Sequence, residues 1–273
     1  MIQTDLFNFS YMTHWFLQLD ALAEMALPEP WCFRNPQRVY KNTDTPILDR
    51  YIQGIFRILS IEYNAEPDPQ VNQKYLHFEN EFACFHTGLY TKQYKAIYAC
   101  FNRNKRNETL LQWCFRGFAD EQSPQLRYIS PLPEAPAAIM PQIGQYYPEW
   151  PVRVNTDHIL GDPANIERLP QEFLSFCCPT VLLEAVVDLA RRKAGAVPDL
   201  VVPQFYRQKV QFLLPLYISN LDKPDLAITL TPMNDFYLGH TCLTLEMAYQ
   251  NARLMKRPTA AWLTALVEGD KAG

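Results

Sequence analysis

Asn155, Thr156, Asp157 and His158 crowd four polar side chains between Val154 and Ile159. A histidine titrates near neutral pH, so His158 is a candidate general acid or base, with Asp157 as the carboxylate beside it. Neighbouring side chains on an extended chain point to opposite faces, so the two do not form an Asp–His pair by themselves. Each needs a partner from elsewhere. The simpler alternative is that Asn155 and Asp157 make turn hydrogen bonds and His158 packs.

A second group, Gln204, Phe205, Tyr206 and Lys209, lies at the start of a strand. An amide and a phenol side by side suit the edge and face of a nucleobase, and Lys209 suits its phosphate. A hairpin rim has the same composition. In the last helical segment Glu246, Gln250 and Arg253 fall at i, i+4 and i+7 and share one face, while Tyr249 and Asn251 flank the apolar stripe. They can converge on a ligand or form an ordinary solvated ladder. Two basic clusters, Arg103 with Lys105 and Arg106, and Arg191 with Arg192 and Lys193, read respectively as a solvated turn and as cations favoured at a helix C-terminus.

Other chemistries are absent from the sequence. There is no phosphate-cradling glycine loop, no nucleophile elbow and no H-E-x-x-H, and the chain holds nine glycines in 273 residues. A net charge of −4 leaves no general electrostatic grip on a polyanion. The seven cysteines include one adjacent pair, Cys177 and Cys178, and no C-x2-C pair, so no zinc site is expected and the thiols read as reduced. No cofactor motif is present. No leader-like or membrane-spanning apolar run occurs, which gives the expectation of a cytoplasmic protein without a membrane partner. Sixteen Phe, fifteen Tyr and five Trp supply core area first and a stacking surface second.

The elements that must position these residues read as α+β, an antiparallel or mixed sheet core flanked by helices. Helical spacing marks residues 11–27, through Trp15, Leu19, Leu22 and Met25, and residues 46–63, through Leu48, Tyr51, Ile52, Ile55 and Leu59. Four β-rich runs at 75–78, 82–87, 96–102 and 110–118 form an expected meander. A proline-rich crossing follows over 123–151. A helix N-cap is expected at Asp162, and a helix over 180–193 with the stripe Leu182, Ala185, Val186, Leu189 and Gly195 as its C-cap. Strands follow at 210–218 and 226–231, with Pro215 marking an edge or bulge, then a short strand near 241–243 and a helix capped by Thr244. One domain over 1–273 is expected, with N-terminal helices in 1–64, a meander in 74–118 and a C-terminal α/β half in 152–266.

Several phrases resemble one known family, DUF3825: CFHTGLYT at 84–91, VNTDHIL at 154–160, VVPQFY at 201–206, VQFLLPLYI at 210–218, KPDLAI at 223–228 and TCLTLEMAYQNARL at 241–254. In that pattern His86 stands where Asn is expected and Glu246 where Asp is expected. The His-Thr-Gly of 86–88 also resembles the strand-borne histidine of ADP-ribosyltransferases, which makes His86 a candidate ligand contact. The family resemblance implies an RNA or nucleotide role, by association of relatives with RNA-linked domains. The expectation is an RNA- or nucleotide-binding module of RNA metabolism or stress and phage defence, with phosphoesterase or nuclease activity at His158 as an added candidate. The candidate ligand residues are His86, Asn155, Gln204, Tyr206, Lys209, Glu246, Asn251 and Arg253. The rival is a non-catalytic protein-interaction domain with an aromatic docking surface.

Overall fold

In the computed structural model, residues 1–34, 44–105 and 110–268 are described. The fold is α+β, and the chain forms two compact units, Met1–Met140 and Pro141–Gly273, whose boundary falls within the proline-rich stretch.

The first unit runs α1 (Leu6–Phe9), β1 (Ser10–Tyr11), α2 (Trp15–Met25), α3 (Pro46–Ala65), β2 (His77–Glu79), β3 (Phe82–Tyr90), β4 (Ala96–Arg103), β5 (Trp113–Asp120) and α4 (Pro136–Ile139). Its sheet has the order β1-β5-β4-β3-β2, with the expected antiparallel meander in β2 to β5 and a parallel pair added at β1. Proline at the first turn starts α3, and Leu48, Tyr51, Ile52, Ile55 and Leu59 are all buried, as helical spacing requires of a core-facing stripe. Many aromatic rings go into this core. Phe9 meets Phe56 at 4.9 Å and Phe101 at 5.3 Å, and Trp15 meets Phe115 at 5.3 Å, all between ring centroids. The opposite face of the sheet, with Cys84, Tyr98, Cys100 and Ala119, packs under Leu126, Ile129 and Leu132.

The second unit runs β6 (Val152–Val154), α5 (Thr156–Gly161), α6 (Pro163–Ile166), α7 (Gln171–Leu174), α8 (Pro179–Ala196), β7 (Val202–Tyr206), β8 (Lys209–Leu216), β9 (Leu226–Pro232), β10 (Tyr237–Thr244), α9 (Leu245–Met255) and α10 (Ala261–Glu268). Its sheet order is β6-β10-β9-β8-β7. One face, through Phe212, Leu214, Ile228, Leu230 and Tyr237, packs on α8. The other carries Gln204, Gln211 and Thr229 and lies under α9, which contacts β7 most.

Two expectations about α8 need correction. Its buried stripe is Leu183, Val186, Val187, Ala190 and Ala194, rotated from the expected one, and Ala185 is exposed. The i, i+4, i+7, i+11 run from Leu183 presents a more regular apolar line to the sheet. Gly195 does not cap the helix, which continues to Ala196 and stops before Pro198, where proline disfavours further helix. Pro215 lies beyond the last β7 pair, Val202 with Leu213, so β7 makes no demand on its missing N–H. Among the described residues no helix is long and apolar enough to cross a membrane.

Candidate functional site

The β7–β8 hairpin brings three candidate residues, Gln204, Tyr206 and Lys209, to one face together with Gln211. Tyr206 pairs with Lys209 and Gln204 with Gln211, so alternation places all four side chains on the α9 side of the sheet. The two-residue turn between them is Arg207 and Gln208, with φ of +48° and +61°. Both positions of such a turn demand the left-handed region, which Asn and Gly fill at little cost and other side chains at roughly 1 kcal/mol each or more. Here neither is used. Tyr206 is 48% exposed, and the Arg207 guanidinium sits 5.3 Å from its ring centroid. The amide of Gln208 is folded inward, and neither its Oε1 nor its Nε2 has a hydrogen-bond partner among the described residues.

Behind the tip runs a relay of side-chain amides. Asn251 Nδ2 on α9 donates to Gln204 Oε1 at 3.0 Å, Gln204 Nε2 donates to Gln211 Oε1 at 3.0 Å, and Gln211 Nε2 donates to Thr231 Oγ1 at 2.8 Å. Gln204 has no exposed surface and Gln211 is buried, so each amide must be paired to avoid the cost of burying it bare.

Helix α9 starts where expected, with Thr244 Oγ1 accepting from Met247 N at 3.3 Å. Glu246, Gln250 and Arg253 do share a flank. Asn251 does not join them: two helical steps separate it from Arg253, about 200° around the axis. Arg253 is buried, so it is not part of a solvated ladder, whereas Glu246 and Gln250 are half-buried.

The polar group before Ile159 is arranged for structure. Asn155 is the N-cap of α5, its Oδ1 accepting from His158 N at 3.1 Å. Asp157 and His158 are exposed on that helix of six residues. Asp162 caps α6 through Ala164 N at 2.8 Å. The groove between edge strand β6 and α8 is lined by Arg153, Glu184, Asp188 and Arg191 among others, and neither Asp157 nor His158 lines it.

His86 belongs to the other unit. It is buried on β3 beside Tyr98, at 4.9 Å, and Tyr90, at 5.6 Å between centroids. Its Nδ1 accepts from Gly88 N at 2.9 Å, within the irregularity that shifts register between His86 and Tyr90. Thr87 Oγ1 completes this bulge, donating to Ile97 O at 2.7 Å and accepting from Leu89 N at 3.2 Å. Gly88 has φ +78°, and a Cβ there would collide with the Tyr51 hydroxyl. Burial pulls the imidazole down to a pKa of about 4, so it is neutral at physiological pH with its proton on Nε2.

Both basic clusters are engaged locally. Arg191 and Arg192 pair with Asp188 at 3.0 and 2.7 Å, and Lys193 lies 3.6 Å from the Tyr217 ring centroid and bonds Leu221 O. Arg103 sits over Trp113 and Lys105 pairs with Glu81 at 3.1 Å; Arg106 lies outside the described residues. Among the described residues no group of three or more potential metal ligands forms a site.

A family model described as "Domain of unknown function (DUF3825)" matches residues 22–262 of the 273. The chain belongs to this family. No curated protein and no solved structure matches it. The DUF3825 span takes in every candidate residue above, and its phrases VVPQFY and VQFLLPLYI are largely the two strands of the hairpin. Reading the sequence of this DUF3825 chain missed Arg207, Gln208, Gln211 and Thr231. A signal for Gln211 existed: residues paired across a hairpin have a constant index sum, so pairing Tyr206 with Lys209 also pairs Gln204 with Gln211.

Proposed function

We propose that this DUF3825 chain binds single-stranded RNA or a nucleotide at the β7–β8 hairpin and the adjoining side of α9. The observation that carries the reading is the hairpin tip, where a half-exposed Tyr206 ring lies beside Arg207, with Lys209 paired across the hairpin, on a turn of unfavourable backbone geometry. Backbone strain of this kind concentrates at sites of function. One face of the Tyr206 ring carries Arg207, and the other is suited to an unpaired base, since stacking on an aromatic side chain tolerates any base and requires it to be splayed from a duplex. Lys209 and Arg207 supply the phosphate contacts that a chain of net charge −4 does not supply elsewhere as a field.

Hydrolysis at His158 has less to support it. The histidine and Asp157 are exposed, and Asn155 is spent on a helix cap. Binding, rather than phosphoester cleavage, is therefore the function these residues support best.

Fluorescence anisotropy of a labelled single-stranded RNA over a salt series tests it. Two cations facing phosphates predict a log–log slope of about −1.4, from about 0.7 per phosphate neutralised on a single strand. Tyr206→Ala is expected to weaken binding about tenfold, on the scale of one base stack. A protein-docking surface would leave RNA unbound, and equal binding by the parent, Tyr206→Ala and Lys209→Ala would overturn the site.

A further inference from the structure

We infer that Asn251 reads the edge of the base stacked on Tyr206, that adenine is the preferred base, and that Gln204 and Gln211 are positioning residues for Asn251. This rests on the RNA-binding reading above. The relay from Asn251 through Gln204 and Gln211 to Thr231 crosses three strands in one lateral row, and every donor in it points the same way. Aliphatic side chains in that row would fill the space under α9 without demanding any partner. A chain of amides instead fixes the orientation of its end member, because turning the Asn251 amide alone would set its oxygen against Gln204 Oε1. Asn251 is the half-buried end of the row. With one Nδ2 hydrogen given to Gln204, its second hydrogen and Oδ1 have no partner among the described residues.

The spacing fits a stacked nucleotide. Tyr206 follows Gln204 by two residues on the same sheet face, about 7 Å along the strand, so a purine on the ring spans the gap toward the amide beside Gln204. An amide with one donor and one acceptor to offer matches a base edge that has an amino group next to a bare ring nitrogen. Adenine carries that pair on two edges, N6 with N1 and N6 with N7, and cytosine on one. The larger purine also overlaps more of the Tyr206 ring. Lys209, directly across the hairpin from Tyr206, is placed for the phosphate.

The test is anisotropy on the full chain with oligo-U hexanucleotides in which one central residue is U, A, C or G. The parent protein is expected to bind the adenine oligonucleotide about tenfold more tightly than the uridine one, the scale of one bidentate contact. Asn251→Asp keeps the relay by reversing its sense, since the Thr231 hydroxyl can donate as well as accept, and presents acceptors only. Preference should then move to guanine, whose N1–H and N2–H lie side by side. Gln204→Leu should flatten the preference to within about threefold while oligo-U binding persists, because a freed Asn251 can turn. Equal binding of all four oligonucleotides by the parent, or an adenine preference that survives Asn251→Asp, overturns base reading and leaves the RNA site standing. Failure of every oligonucleotide to bind overturns both. If Gln204→Leu does not fold, the Asn251→Asp comparison decides by itself.

Discussion

At position 86 the imidazole Nδ1 does for Gly88 what the side-chain oxygen of an asparagine does in an Asx turn: it accepts the N–H two residues on. The asparagine expected there from the family resemblance can make the same bond, so the bulge does not depend on histidine. What histidine adds is acid sensitivity. The folded pKa of about 4 lies below the ordinary 6.5, so between those values the unfolded chain takes up a proton that the folded chain excludes. Stability is lost as pH falls through that window, by roughly 3 kcal/mol at most. Urea unfolding of His86→Asn should show a shallower acid decline than the parent, and identical pH dependence would show that His86 is not the group responsible. The thiols divide in the same way. Cys177 and Cys178 are exposed and should alkylate first under native conditions. Cys32 should follow, its thiol raised by partial burial and Asp44. Cys84, Cys100 and Cys242 are buried; burial raises all three, Cys100 and Cys242 to about 12, and they should label only as the protein opens. Mass spectrometry of the alkylated chain resolves the order.

The hairpin and α9 are the elements whose stability and function separate by mutation. Gln208→Gly removes a side chain from the left-handed region together with an amide that is buried without a partner, so it should stabilise the protein by about 1 kcal/mol in urea unfolding. A destabilised variant would mean that the Gln208 side chain holds the tip in place. On α9, Ala252 is 1% exposed, and Ala252→Glu should cost roughly 3 kcal/mol or more by forcing a charge against the sheet. Arg253 was legible from helical spacing as a flank residue shared with Glu246, and its burial was not. Arg253→Ala should therefore cost about 1–3 kcal/mol rather than behave as a surface change. Thermal unfolding within about 0.5 kcal/mol of the parent would place Arg253 among surface residues after all.

Across the whole molecule, each unit has its own five-stranded sheet and its own buried cluster. The boundary lies at residues 140–141, and the chain from 141 to 145 is exposed and without regular structure. Brief digestion with a broad-specificity protease should cut there first and release two fragments of about half the chain each, since exposed irregular backbone is what a protease can seat. First cuts inside β3 or β8 would contradict the division.

Local physics was enough for the elements. Period-two and helical patterns, proline at helix starts and the caps at Asp162 and Thr244 placed α2, α3, the meander and α9 close to where they lie, because those signals act over a few residues. The short strands β1 and β6 were not legible: each is a few residues long and is made by parallel pairing with a distant strand. The candidate site divides along the same line. Gln204, Tyr206, Lys209 and Asn251 were recognisable from residue type, but only the register of β7 against β8 and the packing of α9 put Asn251 on Gln204 and buried Arg253. Sequence spacing gives a side chain its direction on its own element, and contact between elements is decided where their buried faces meet.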